Sequence, residues 1–140
     1  MSIAPTSSPR RPFRSGVVVG LALVAALAAG CSKSDGGATA NLSAAGKRGQ
    51  TVAMARGCTA CHSAGGSRGT GPTWKDLAGS EVKLDNGTKK ADDAYLRQAI
   101  TVPRSEVVSG FPNIMPNYSN LTADQVNDII AYLHDLSAKH

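Results

Sequence analysis

The chain has 140 residues, 41% of them apolar and only 4% aromatic, with fifteen basic against ten acidic side chains for a formal charge of +5. That length holds one small domain, and three cysteines are too few for a scaffold built on disulfides. No basic stripe is interleaved with aromatics, so the positive charge does not point to nucleic acid.

Arg10, Arg11 and Arg14 flank an apolar run from Gly16 to Ala29. A positive flank before a run of that length marks a signal peptide, and the run falls short of the ~20 residues that a spanning helix needs. It closes on Leu27-Ala28-Ala29-Gly30-Cys31, which resembles the lipobox of bacterial lipoproteins, with Ala28 where Leu is commoner. The resemblance implies an acylated Cys31 as the first residue of the mature chain. An ordinary secretory signal, or an uncleaved anchor with Cys31 as a free thiol, is the alternative. Residues 1–30 are thus read as a lipoprotein signal peptide, 31–45 as a flexible tether rich in Gly, Ser and Ala, and 46–140 as the folded domain. Three of the fifteen basic residues lie in 1–30, which leaves twelve against ten acids, a mature charge of +2.

Gly46 to Arg56 carries no breaker after Gly49 and predicts a helix that Gly57 ends. Cys58-Thr59-Ala60-Cys61-His62 follows, a C-x-x-C-H run of the kind that attaches c-type haem. Two thiols on one turn can add across the two vinyl groups of a haem edge, and the next imidazole can then reach the iron. Other uses of the pair fit less well. A thioredoxin-like pair belongs near a βαβ pattern, and no strand run precedes Cys58. A structural zinc needs four ligands, and beyond these three only His134, His140 and Cys31 remain. A disulfide at this spacing would close a small strained loop.

Gly65 to Pro72 is a loop rich in breakers, and Trp74 follows it. Glu81 to Leu84 alternates ahead of Asp85-Asn86-Gly87-Thr88, a hairpin signal whose charged residues suit a solvated face. Asp92 to Ile100 predicts a short helix with Tyr95, Leu96, Ala99 and Ile100 on one side, ended by Val102-Pro103. Gly110 to Tyr118 is a Pro-rich loop holding Met115. Thr122-Ala123-Asp124-Gln125 is a capping box opening a last helix with Val126, Ile129, Ile130 and Leu133 at helical spacing. Met54, on the first helix, is expected to fill core, and His134 and His140 to lie on the surface.

From Gly57 to Leu136 this order of signals resembles the class I cytochromes c. It looks most like the cytochrome c domain of subunit II in some bacterial haem–copper oxidases, here with no copper motif or cupredoxin ahead of it. The runs that carry the likeness are Gly57 to His62, Gly71-Pro72-Thr73-Trp74-Lys75, Asp92 to Arg97 and Gly110 to Pro116. The resemblance implies an all-α fold, about three main helices and a small β-hairpin around one covalent haem c. It implies that Cys58 and Cys61 hold the haem and that His62 and Met115 ligate iron. Pro72 would accept the other ring N–H of His62. Trp74 would pack on the haem edge or donate to a propionate, and Tyr118 would pack or hydrogen-bond within its loop or to a propionate. It sets Tyr132 against Gly49 at a helix crossing, with Ala53 where an aromatic is usual.

The expected function is one-electron transfer without substrate turnover, by a monomer exported to the bacterial cell envelope and tethered to a membrane by lipid. Its expected partners are redox proteins of the respiratory chain, an oxidase or a quinol–cytochrome c reductase. The alternatives are a haem-based sensor with a labile sixth ligand and a fixed haem subunit of a larger oxidoreductase.

Overall fold

The computed structural model describes residues 41–137. The signal peptide, Cys31, most of the tether and His140 lie outside the described residues. Three helices form the domain: α1 (Ala44–Ala55), α2 (Asp93–Thr101) and α3 (Ala123–Ser137). A two-stranded antiparallel hairpin, β1 (Glu81–Leu84) and β2 (Gly87–Lys90), stands between α1 and α2.

The first helix starts two residues ahead of the expected Gly46, because Ser43 caps it. The Ser43 hydroxyl accepts from the Gly46 N–H at 2.9 Å. Asp135 on α3 fixes that cap, accepting from the Ser43 N–H at 2.8 Å and from its hydroxyl at 2.9 Å. Leu42 packs on the core, so residues 42–45 belong to the fold and not to the tether. At the other end Gly57 takes the left-handed conformation, φ 75°, that a side chain would resist, and turns the chain into Cys58.

α1 packs mainly on α3. Gly46 and Gly49 lie on the shared face, and at Gly49 the two backbones touch: a Cβ there would sit 1.9 Å from the Asp128 carbonyl oxygen. Arg48 straddles the same spot, donating from Nε and Nη2 to the two oxygens of Asp128 at 2.9 and 2.6 Å. Gly49 meets the α3 backbone at Asp128 and Ile129, while the Tyr132 ring stands edge-on to Trp74, 5.9 Å between centroids. Ala53 is fully buried, the small residue that a crossing this close admits.

The apolar stripe of α3, Val126, Ile129, Ile130, Leu133 and Leu136, is buried as its spacing predicts. Its capping box closes both ways: Thr122 N–H donates to Gln125 Oε1 at 3.1 Å, and Gln125 N–H to Thr122 Oγ1 at 3.2 Å. Thr122→Ala is expected to cost about 1 kcal/mol. In a domain this small, that lowers the thermal midpoint by roughly 4–8 °C, read by circular dichroism. An unmoved midpoint would mean that the cap contributes nothing.

The hairpin is more than an excursion. Val82 and Leu84 point into the core while Glu81 and Lys83 face water. The free edge of β1 pairs with the segment leading to Met115: Asp85 N–H donates to Val107 O at 3.0 Å, Ser109 N–H to Lys83 O at 2.9 Å, and Leu84 bridges Val108.

Candidate functional site

The structure gathers Cys58, Cys61, His62, Pro72, Trp74, Met115 and Tyr118 around one crevice. The rest of its wall is mostly apolar, with Leu77 from the loop before β1, Val82 from the hairpin, Leu96 and Ile100 from α2, and Ile129 and Leu133 from α3.

The C-x-x-C-H run forms a single tight turn. Cys61 N–H and His62 N–H both donate to the Cys58 carbonyl, at 3.2 and 3.1 Å. The following loop doubles back on it, Gly71 N–H donating to the Cys61 carbonyl at 2.9 Å. This brings the Pro72 carbonyl within 2.7 Å of His62 Nδ1. A carbonyl only accepts, so Nδ1 carries the proton and Nε2 keeps a free lone pair. The Trp74 ring stacks on the imidazole, 5.2 Å between centroids at 12°. Gly71 fits against the imidazole too: a Cβ there would lie 2.6 Å from its Cε1. Burial pulls the imidazole below its ordinary pKa, partly opposed by the bond to Pro72, so the ring is held neutral. Trp74, expected at a haem edge or a propionate, thus braces His62 as well.

Cys58 and Cys61 are free thiols, and burial pushes the Cys58 thiol above its usual pKa. Among the described residues no cluster of His, Cys, Asp and Glu could hold a metal ion unaided.

Met115 is half-buried in the wall, between Pro112 and Pro116. Met54, expected in the core, is 62% exposed and forms no part of the crevice wall. The Tyr118 side chain reaches out of its own loop: its hydroxyl donates to the Arg56 carbonyl at 3.2 Å, beside the Cys58 sulfur. His134 is exposed, as expected, with Nε2 2.7 Å from Asp93 Oδ1.

Glu106 was not legible as a site residue. It lines the crevice, pairs with Lys89 through one oxygen and keeps the other buried without a partner. No local pattern sets it apart from the other solvent-facing acids of the chain.

Two thiols on one turn, a neutral imidazole with a free Nε2, a thioether in the wall and an apolar slot form a donor set that fits a haem. No curated protein matches the chain. The sequence model of the family described as Cytochrome c matches residues 46–137, which is more than half of the chain and contains all three helices but for the first two residues of α1. The chain therefore belongs to the cytochrome c family, whose members carry electrons on a covalently attached haem c.

Proposed function

We propose that this protein is a monohaem one-electron carrier tethered by lipid to a bacterial membrane, exchanging electrons with a membrane oxidase or a quinol-oxidising complex. Cys58 and Cys61 would hold the haem through thioethers, and His62 Nε2 and Met115 Sδ would ligate its iron. The observation that carries this reading is the bond between His62 Nδ1 and the Pro72 carbonyl, which leaves the other ring nitrogen free as a donor. When bound, the haem supplies an iron that cycles between the ferric and ferrous states. His62, held neutral by burial and stacked on Trp74, would present Nε2 to that iron. A thioether favours ferrous iron, so Met115 raises the potential. The C-terminal ends of α1 and of the Met115 loop are joined through Tyr118, which limits rearrangement on electron transfer. Membrane attachment rests on Cys31 and its leader, and the choice of partner on the likeness to the oxidase subunit domain.

Optical spectra of the holoprotein test this reading. The reduced form is expected to show a c-type α band, and the ferric form the weak far-red band of methionine-ligated haem. That weak band is expected to vanish in Met115→Ala and persist in Met54→Ala. A haem spectrum without the band in the unaltered protein would favour a sensor with an open sixth position. The absence of covalent haem would overturn the proposal.

A further inference from the structure

We propose that Arg68 is a strap that holds the Met115 loop shut and so sets how readily the sixth coordination position opens. This rests on the reading of Met115 as the axial ligand.

The loop needs external support. From Gly110 to Leu121 its own hydrogen bonds are few: Phe111 N–H to Val108 O at 3.1 Å, Ile114 N–H to Pro112 O at 2.9 Å, Ser119 N–H to Asn117 Oδ1 at 2.7 Å and Leu121 N–H to Tyr118 O at 3.0 Å. None of them spans Met115. Tyr118 ties the far end to the Arg56 carbonyl, one residue ahead of Gly57. Arg68 ties the near end. Its Nη2 donates to the Gly110 carbonyl at 3.0 Å, and its guanidinium lies 4.8 Å over the centre of the Phe111 ring.

The strap has a firm anchor. Arg68 stands on the loop after His62, which is stitched to the C-x-x-C-H segment by Gly71 N–H to Cys61 O, Trp74 N–H to Ser63 O at 2.8 Å and Thr73 Oγ1 to Ser63 O at 3.0 Å. Arg68 therefore joins the His62 side of the crevice to the Met115 side across 42 residues of sequence. Among the described residues it forms no ion pair, and its hydrogen bond and its aromatic contact both go to this loop. Guanidinium chemistry suits the task, because a plane can lie on an aromatic face while a separate N–H reaches a carbonyl.

A ligand that competes with Met115 can bind only when the loop is open, so its apparent affinity reads the open fraction. Imidazole titrated into the ferric holoprotein, followed by loss of the far-red band, is the measurement. Arg68→Ala is expected to tighten apparent imidazole binding at least about fivefold, the lower end of what an exposed cation–π contact and one hydrogen bond contribute together. Arg68 is a surface residue, so the variant folds. Arg68→Lys keeps the charge without the plane and is expected to recover less than half of the change. Unaltered imidazole binding in Arg68→Ala overturns the proposal, and so does full recovery in Arg68→Lys, which would assign the effect to net charge. Failure of the underlying ligand reading is separately visible: the unaltered protein would lack the far-red band, and Met115→Ala would bind imidazole no more tightly than it does.

Discussion

Gly49→Ala is expected to destabilise the domain by about 3 kcal/mol or more, by the overpacking it forces. The sign is the informative part. On an exposed helix face this exchange stabilises by roughly 1 kcal/mol, because alanine is the better helix former. At Gly49 the new methyl would meet Asp128 O at 1.9 Å, Asp128 C at 2.4 Å and Ile129 N at 2.8 Å. All three are backbone atoms of α3, so no side chain can swing aside, and the two helices must separate. Ala53, Ile129 and Ile130 are buried in the same core and lose packing with them. Chemical denaturation of the holoprotein measures the loss. Thr51→Ala, on the exposed side of α1, is the control and is expected to gain a few tenths of a kcal/mol, since alanine is the better helix former there too. A gain at Gly49 as well would mean that α1 and α3 cross further apart than described.

Gly71→Ala is expected to act on the ligand and not on the fold. Its methyl would lie 2.6 Å from Cε1, 2.9 Å from Nδ1 and 3.0 Å from Nε2 of His62. An imidazole can rotate, but this one is fixed by the Pro72 carbonyl and the Trp74 ring, so it yields only by losing that hydrogen bond. An imidazole without this partner is a weaker electron donor to iron, because the bond raises ligand basicity. Ferric iron loses support relative to ferrous, and the reduction potential is expected to rise by on the order of tens of millivolts. Potentiometric titration reads this shift, with the denaturation midpoint as the comparison. A large loss of stability at constant potential would show Gly71 to be a packing residue only.

Much of the site was readable because its chemistry is local. C-x-x-C-H is five consecutive residues forming one turn, and the Met115 loop is announced by Pro112 and Pro116 on either side of it. The capping box at Thr122 and Gln125 and the hairpin turn at Asp85-Asn86 are likewise encoded within a few residues. What escaped depends on partners distant in sequence. Asp135 reaches Ser43 across 92 residues and Asp128 reaches Arg48 across 80, and nothing near either acid marks it. Pairing of β1 with 107–109 was hidden because that segment is too short to read as a strand. Met54 misled in a different way: helical spacing places it on a turn of α1, but the face buried against α3 is lined by Gly46, Gly49 and Ala53.

The crossing of α1 and α3 also ties the start of the domain to its end. The two helices that clasp one another lie at opposite ends of the domain, and the last of them is the fifteen-residue α3. A contact this distant along the chain carries a loop-closure cost that local contacts do not, and it slows folding relative to a bundle of sequence neighbours. Until α3 arrives, α1 has no surface to dock on, and the crevice lacks the wall that Ile129 and Leu133 provide. The crevice that Cys58 and Cys61 border is thus complete only once the last helix of the domain has docked.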